Sequence, residues 1–350
     1  MILTGTGIIR GLGPQAIAKI VVAGIDGNII YSDDLVTWQG ATTPHGSDLS
    51  YVYGAVTYSP ERRQFVATYT AGPTSTTLIN TSTNGKTWIE RTNPSNPGTD
   101  WTGVAWSPTL RLYATCSNTV NNQYNFMTSP DGVNWTLRAA PSFSGSYYGY
   151  GKIIWSVSSS AFIAISANGF VGSTAPNSSA YSTDGITWTA NSSSAIFATA
   201  IAEGDSSLGA GKHVKVWKLT SNNNKVASAS DVTSTWTDRS ATMTSVTYNW
   251  SGVAWSPSLG LYCAVSTYGV DYGCKHVILS NDGINWTRYA TGINNINLAA
   301  IAWSASLGKF IAVGGGISPY TTTMMQSSNG TTWSTITAPA GEWQSIVATS

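Results

Sequence analysis

One short motif recurs through the whole chain and limits what the chain can fold into. The pattern Ser-x-Asp-Gly-x-Thr-Trp, seen in full at 182–188, has seven related copies, each with a serine six residues before a tryptophan. The tryptophans, spaced by 47 to 53 residues, are Trp38, Trp88, Trp135, Trp188, Trp236, Trp286 and Trp333. Seven similar units therefore fill the 350 residues, as in repeat architectures built from small supersecondary units.

The acid of the motif is exchangeable with its amide. The Asp-Gly pair is complete in three copies and becomes Asn-Gly in two, at Asp131, Asp184, Asp282, Asn84 and Asn329. Both pairs supply the positive backbone angles of a tight hairpin turn, whereas a metal-binding or catalytic carboxylate would not accept the amide so readily. We therefore predict a structural turn whose tryptophan packs against a neighbouring turn or strand. The copies at 32 and 230 lack the glycine, so we expect those two hairpins to turn differently.

Each unit carries a second signature. Stretches such as 103–117, "GVAWSPTLRLYATCS", and 252–266, "GVAWSPSLGLYCAVS", are typical of two apolar strands joined by a Ser-Pro turn. With the strands on either side of the Asp-Gly turn, each unit has four short strands, and no segment has a sustained helical period. The sequence predicts an all-β fold, a seven-bladed β-propeller of four-stranded antiparallel blades.

The ends of the chain indicate how the ring closes. The first unit begins with its second strand, while 341–350 forms a single apolar strand after the last outer strand. We predict that this strand, Trp343 to Ser350, completes the first blade and removes the open edge. Residues 1–350 then form one domain, with 1–15 as a candidate docking segment for another protein.

The Ser-x-Asp-Gly-x-Thr-Trp turns resemble the Asp-box, or BNR, repeats of sialidase-like β-propellers over essentially the whole chain. Asp and Gly are adjacent here, as in Asp184-Gly185, whereas the usual repeat has one more residue between them. In that superfamily the Asp-box is a fold element on the face away from the binding site. The resemblance therefore implies architecture and little about activity.

Composition excludes several function classes. Charged residues make up 9% of the chain and the formal net charge is +1, so no basic stripe is available to neutralise phosphates, and nucleic-acid binding is not expected. No run of about 18 apolar residues predicts membrane insertion. The N-terminal sequence lacks the pattern of a cleavable signal peptide.

The cysteines and histidines do not predict a metal site or a disulfide-dependent fold. Cys116 and Cys263 stand in apolar stretches and are predicted to be buried, although a Cys263–Cys274 bridge across a hairpin is an alternative. The three histidines have no ligand spacing, and we expect solvated loop or strand-end residues at His45, His213 and His276. No cofactor is predicted.

A sialidase-type glycosidase would need an arginine triad, a Tyr–Glu pair and an acid near the propeller axis, as the resemblance implies. Four of the eight arginines follow the motif tryptophans on outer strands and cannot converge on the axis: Arg91, Arg138, Arg239 and Arg288. Of the four glutamates, Glu61 falls in an inner-strand hairpin and Glu90 on an outer strand, so neither is a natural partner for a central tyrosine. We expect no enzymatic activity and no catalytic residue.

Binding is better supported. The connections on the face opposite the Asp-Gly turns, such as 40–53 and 138–150, combine Tyr, Trp, Asn, Ser and Gly, the mixture that antigen-binding loops use. Four loop tyrosines do not recur in other blades and are therefore not demanded by the fold. These candidate ligand-binding residues are Tyr147, Tyr148, Tyr268 and Tyr272.

Alignment of the inner strands gives a further set of candidates. Seven apolar residues precede the inner-strand Val or Ile: Val52, Trp101, Tyr150, Phe197, Trp250, Leu298 and Trp343. The aromatic members Trp101, Tyr150, Trp250 and Trp343 are candidates for an aromatic collar at the mouth of the central channel. The alternative interpretation, which we prefer, is that this set packs between blades.

A low charge, a surface rich in Ser, Thr, Asn, Gly, Trp and Tyr, and the lack of a leader resemble bacteriophage virion proteins. The first hypothesis is a non-enzymatic, tail-associated protein of adhesin or receptor-binding type. It would work on the virion or outside the cell, with a cell-surface glycan or protein receptor, and other virion proteins, as partners. A multivalent lectin with sugar sites in each blade and a sialidase-like glycoside hydrolase are the alternatives.

Overall fold

The computed structural model describes the chain apart from its first 15 residues, its last residue and several internal segments. The described ranges are 16–25, 27–46, 48, 50–71, 78–92, 94, 100–119, 123–141, 149–166, 179–191, 198–217, 225–240, 248–269, 276–294, 297–315 and 324–349. Within them the chain forms 28 strands in seven four-stranded antiparallel sheets, one for each predicted unit.

The first three blades show the repeated order from inner to outer strand. Blade 1 contains β28 (Trp343–Ala348), β1 (Ile20–Gly24), β2 (Ile29–Ser32) and β3 (Trp38–Gly40). Blade 2 contains β4 (Val52–Ser59), β5 (Gln64–Ala71), β6 (Leu78–Ser82) and β7 (Ile89–Thr92). Blade 3 contains β8 (Trp101–Ser107), β9 (Leu112–Ser117), β10 (Phe126–Ser129) and β11 (Thr136–Arg138).

The remaining four blades repeat that order. Blade 4 contains β12 (Lys152–Ser156), β13 (Ala161–Ile165), β14 (Ser179–Ser182) and β15 (Thr189–Asn191), and blade 5 contains β16 (Ala200–Glu203), β17 (His213–Trp217), β18 (Lys225–Ala229) and β19 (Thr237–Asp238). Blade 6 contains β20 (Tyr248–Ser256), β21 (Leu261–Gly269), β22 (His276–Ser280) and β23 (Thr287–Ala290). Blade 7 contains β24 (Leu298–Ser304), β25 (Lys309–Gly314), β26 (Met324–Ser327) and β27 (Ser334–Thr335), and a 3-10 turn at Ser206–Gly211 joins β16 to β17.

Closure follows the prediction. β28 pairs antiparallel with β1, so the C-terminal strand is the inner strand of the first blade. The hydroxyl of Thr349 also donates a hydrogen bond to the carbonyl of Ala18, 3.2 Å away. Each inner strand contacts the inner strands of both neighbouring blades, so the seven sheets form a closed ring.

The core lies between blades rather than within them. Seven apolar clusters fill the seven interfaces between neighbouring blades, and each contains one motif tryptophan, although Trp38 is only partly buried. The cluster between blades 2 and 3, for example, packs Trp135 against Val66 and Ile79 of blade 2. The tryptophans therefore seal each blade against the preceding one, as the repeat predicts. The predicted burial of Cys116 and Cys263 is confirmed, since both are 0% exposed, while Cys274 lies outside the described residues.

Candidate functional site

The repeated turns are held by hydrogen bonds internal to each turn. In blade 3 the Ser129 hydroxyl accepts from the Gly132 N–H at 2.8 Å and donates to Asp131 Oδ1, while Trp135 Nε1 donates to the Gly132 carbonyl at 3.0 Å. Burial acts to raise the pKa of Asp131, but hydrogen bonds from the two following backbone N–H groups and the Asn134 side chain hold it below its usual range.

The amide copies make the same contacts. Asn84 Oδ1 accepts from the backbone N–H groups of Lys86 and Thr87, and Asn329 Oδ1 accepts from those of Thr331 and Thr332. The acceptor oxygen, which Asp and Asn share, is therefore the part of the side chain that the turn requires. This confirms that the motif is a structural turn.

The prediction that the two glycine-free copies turn differently is wrong for the first copy. Leu35 adopts φ 66°, its N–H donates to Ser32 at 2.9 Å, and Asp34 accepts from the next two N–H groups, so the turn is the usual one. Leu35 is 4% exposed and packs between blades 7 and 1, which offsets the roughly 1–2 kcal/mol cost of a left-handed leucine. The copy at 230 does differ: Asp231 follows Ser230 directly and accepts from Thr233 and Ser234.

The candidate collar residues are buried. Trp101, Tyr150, Trp250 and Trp343 are at most 2% exposed and belong to the clusters between blades. This burial agrees with the packing alternative and leaves their side chains little surface for a ligand.

Two members of the aligned set, Val52 and Phe197, lie one residue before the equivalent position of the other blades. In three blades the equivalent position pairs with a residue near the end of the second strand and lies beside a bulge. These pairs are Trp101–Ser117, Trp250–Ser266 and Leu298–Gly314. In blade 2 the equivalent pair is Tyr53–Tyr69, so Tyr53 and not Val52 occupies the position. In blade 5 the same offset from the inner-strand isoleucine selects Ala198, which is 1% exposed, in place of Phe197, which lies outside the described residues.

The four loop tyrosines stay predictions. Tyr147, Tyr148 and Tyr272 lie outside the described residues. Tyr268 belongs to β21 by its backbone, but its side chain lies outside the described part of the chain.

One connection on the predicted binding face is described almost completely and forms a different site. Residues 41–51 lead from the outer strand of blade 1 to the inner strand of blade 2, and all but 47 and 49 are described. Thr42 pairs with Thr87: its N–H donates to the Lys86 carbonyl at 2.8 Å and its carbonyl accepts from the Trp88 N–H at 2.9 Å. The connection is thereby fixed along the outer strand of blade 2.

This pairing brings a histidine, an acid and two tyrosines together. The ring of His45 stacks on that of Tyr51, with centroids 3.7 Å apart and planes 6° apart, and its Nε2 hydrogen-bonds to the carboxylate of Glu90 on β7. Tyr69 meets both rings edge-on, at 6.1 Å from His45 and 5.7 Å from Tyr51. We call these four residues, His45, Tyr51, Tyr69 and Glu90, the blade 1/2 cluster. His45 is 21% and Glu90 36% exposed, and Tyr51 is half-buried, so the cluster opens to solvent.

A buried polar network supports the cluster from below. Asn80, 0% exposed, donates from Nδ2 to the hydroxyls of Tyr53 and Tyr69, at 2.8 and 2.7 Å, and the Tyr69 hydroxyl donates to that of Tyr53 at 2.8 Å. The rings of Tyr53 and Tyr69 stack 4.4 Å apart. Burial raises the pKa of Tyr53 to about 12 and that of Tyr69 further, so both hydroxyls stay protonated.

The cluster departs from the repeat. The position of Tyr69 holds a serine or a glycine wherever the equivalent pairing occurs: Gly24, Ser117, Ser266 and Gly314. The other blades form without a tyrosine at this position, so the fold alone does not explain Tyr69. The unusual tyrosine is visible in the sequence, because Tyr69 stands where other units have small residues. The sequence does not show that the His45 ring contacts Tyr69 or that Glu90 bonds to His45.

A second departure lies near the opposite face, between blades 4 and 5. Glu203 accepts hydrogen bonds from the N–H groups of Val157 and Ser158, at 2.8 and 3.0 Å, and from the hydroxyls of Ser156 and Ser158. His213 Nε2 contacts the Ser156 hydroxyl at 2.9 Å and lies 3.6 Å from Glu203. Burial acts to raise the pKa of Glu203, but the nearby His213 side chain and the hydrogen bonds from Ser158 and the two N–H groups lower it to about 2.

This Glu–His pair replaces an aromatic pair. The equivalent cross-strand positions of other blades hold Trp106–Tyr113, Trp155–Phe162, Trp255–Tyr262 and Trp303–Phe310. His213 is a strand-end residue, as predicted, because it begins β17, but it is not solvated: it is 0% exposed inside the interface. Ser156 is also 0% exposed, so this Ser–His–Glu arrangement joins two blades and offers no open nucleophile.

Two further findings concern the described residues only. No three His, Cys, Asp or Glu side chains among them are grouped so that they could hold a metal ion. None of their helical segments has the length and apolar character needed to cross a membrane.

Comparison with known proteins gives the fold without a family. No family model matches the chain, and no curated protein matches it. Solved structures do: a GH74 xyloglucanase from Xanthomonas campestris has a TM-score of 0.62 and 12% identity, over 92% of this chain and 55% of that one. The periplasmic gluconolactonase PpgL of Pseudomonas aeruginosa has a TM-score of 0.63 and 8% identity, over 95% and 99%. Virginiamycin B lyase from Staphylococcus aureus has a TM-score of 0.57 and 12% identity, over 82% and 84%.

These neighbours correct one expectation. The sequence led us to expect no enzymatic activity, but three similar propellers carry the names of enzymes. The architecture therefore gives no ground for excluding catalysis. At identities of 8 to 12% the likeness establishes the β-propeller fold alone.

Proposed function

We propose that this β-propeller binds carbohydrate through the blade 1/2 cluster. The observation that carries the proposal is the partly exposed stack of His45 on Tyr51 beside the Glu90 carboxylate, at a place where the repeat requires none of these side chains. Aromatic rings pack against the apolar C–H faces of sugar rings, and a carboxylate accepts hydrogen bonds from sugar hydroxyls.

The network beneath the cluster supports a preorganised site. Tyr69 can neither rotate nor shift without breaking its hydrogen bonds with Tyr53 and Asn80, all of which are buried. Rigid rings supply contact area at little cost in conformational entropy, which is why tyrosine is common in binding surfaces. A fixed Tyr69 in turn limits the positions open to His45 and Tyr51.

The biological setting is part of the proposal. The polar, weakly charged composition supports a protein that works outside the cell, and we place the chain in a bacteriophage tail as an adhesin that recognises host surface glycan. Mass spectrometry of purified virions from the phage that encodes the chain should detect it. Its absence from the particles would remove the tail assignment without affecting sugar binding.

The binding test uses an array of immobilised neutral and acidic oligosaccharides, followed by titration of the best ligand. We expect Tyr51→Ala to lower its affinity about 10-fold, because the stack loses its larger ring. Tyr289→Ala is the matched control: Tyr289 is 37% exposed but lies on a regular outer strand of blade 6, so affinity should not change. Equal loss in both variants, or no loss in either, would reject the site.

The same titration separates the alternatives. The single cluster predicts about one bound neutral ligand per chain, whereas a lectin with a site in every blade would bind about seven. Incubating the ligand with the protein and measuring new reducing ends distinguishes binding from hydrolysis. Release of reducing sugar that stops in Glu90→Gln would make the site that of a glycoside hydrolase.

A further inference from the structure

A small cavity that mixes polar and apolar surface lies on the side of blade 2 that faces blade 3, beside the turn that ends at Trp88. Its lining residues are Gln64, Thr81, Ser82, Thr83, Asn84, Thr87, Ile89 and Arg91. Arg91 supplies the charge of this lining, which contains no acid. Its neighbour Glu90 is paired with His45 on the opposite face of the sheet.

The guanidinium of Arg91 is held in one orientation. Its Nε donates to the Thr81 hydroxyl at 2.9 Å, and the same bond joins Arg138 to Thr128 and Arg239 to Ser228, each at 2.9 Å. Within the described residues the Nη atoms of Arg91 make no hydrogen bond or ion pair. Anchoring through Nε leaves the two Nη groups as a planar fork, the geometry that matches a carboxylate or sulfate.

The turn residue distinguishes blade 2 from its two equivalents. Blades 3 and 5 carry the acids Asp131 and Asp231 in the turn, and hydrogen bonds lower the pKa of both carboxyls, so both are charged. Blade 2 has the neutral Asn84, which lines the cavity together with Arg91. Because no turn carboxylate offsets its charge, Arg91 has a more positive surrounding than Arg138.

Neutral donors complete the cavity. Gln64 accepts the Tyr113 hydroxyl at Oε1, 3.0 Å away, which leaves its NH₂ group as a donor. Thr83 and Thr87 add exposed hydroxyls at the rim. We infer that this cavity binds the anionic group, a carboxylate or a sulfate ester, of an acidic glycan, an inference that rests on the proposed carbohydrate binding and names its ligand class.

The test compares glucuronate, glucose 6-sulfate and glucose, titrated separately and followed by protein NMR. We expect the wild type to bind one or both anions about 5- to 10-fold more tightly than glucose. A preference for glucuronate identifies carboxylate, and a preference for the sulfate identifies sulfate ester. Equal affinity for all three sugars would overturn the inference, while binding of glucose to the blade 1/2 cluster would leave the proposed function standing.

Three variants locate the preference. Arg91→Gln should abolish it, and Arg138→Gln, the matched control beside the acidic turn, should keep it. Asn84→Asp should also abolish it, and Asp is the residue at that turn position in four other blades: Asp34, Asp131, Asp184 and Asp282. Loss of the preference in Arg138→Gln as well, or its retention in both blade 2 variants, would overturn the assignment to this cavity.

Discussion

The turn of blade 3 and the blade 1/2 cluster both combine an acid with an aromatic residue, but the turn is structural and the cluster is the candidate binding site. In the turn, the polar groups of Ser129, Asp131 and Trp135 are satisfied by bonds within the turn itself. The serine bond recurs in all five copies that have Asp-Gly or Asn-Gly, with the serine hydroxyl 2.8–2.9 Å from the glycine N–H. In the cluster, His45, Tyr51 and Glu90 meet across two blades at one place and remain partly exposed. An acid next to an aromatic residue is therefore uninformative by itself. An arrangement that recurs from blade to blade belongs to the scaffold, whereas one that occurs at a single place is a candidate site.

The largest expected effect falls on the scaffold. Trp135 is 6% exposed and fills the interface of blades 2 and 3, so Trp135→Ala should lower the free energy of unfolding by about 3–5 kcal/mol. Chemical denaturation measures the change, and Thr136→Ala, at an exposed neighbouring position, should stay within about 0.5 kcal/mol of wild type. If both variants lose the same small amount, the tryptophans are not the seals between blades.

The Glu203–His213 pair should show an intermediate effect that depends on pH. Glu203→Gln replaces one of the two acceptor oxygens with an NH₂ group that faces backbone N–H donors. The free energy of unfolding should therefore fall by about 1.5–3 kcal/mol near neutral pH. The folded pKa of about 2 lies below the ordinary 4.5, so this contribution is present above pH 4.5 and declines as pH falls towards 2. The difference between wild type and variant should narrow over that interval. A difference independent of pH would show that the carboxylate is not what stabilises the interface.

The smallest effect on stability is expected at Asp184, the acid of the complete Ser-x-Asp-Gly-x-Thr-Trp motif. Asp184→Asn keeps the oxygen that accepts from the N–H groups of Ile186 and Thr187, as Asn84 and Asn329 do in their own turns. The change in unfolding free energy should be about 1 kcal/mol or less, and ligand affinity should stay the same. A large loss of ligand affinity would show that the turn, and not the blade 1/2 cluster, contains the binding site.

The repeat carries most of the fold but little of the candidate site. Blade number, ring closure and the structural role of the turn follow from spacing and from the exchange of Asp131 for Asn84, because every unit faces the same packing problem. The normal turn at Leu35 could not be predicted, since it depends on burial between blades 7 and 1.

The cluster could not be predicted for a similar reason. Its members come from a connection, a second strand and an outer strand, and they meet through contacts between residues distant in sequence, such as the pairing of Thr42 with Thr87 and the His45–Glu90 bond. The aligned set also took Val52, four residues before the inner-strand Val56, in place of Tyr53, three residues before it, and so missed the Tyr53–Tyr69 pair. Local sequence patterns do not contain such contacts between blades.

The most direct measurement is the dissociation constant of the best array glycan for the wild type, Tyr51→Ala and Tyr289→Ala, with the three proteins shown to be equally stable. The account predicts about a 10-fold weaker constant for Tyr51→Ala and an unchanged one for Tyr289→Ala, because only Tyr51 belongs to a cluster that the fold does not require. Unchanged affinity in Tyr51→Ala would contradict it.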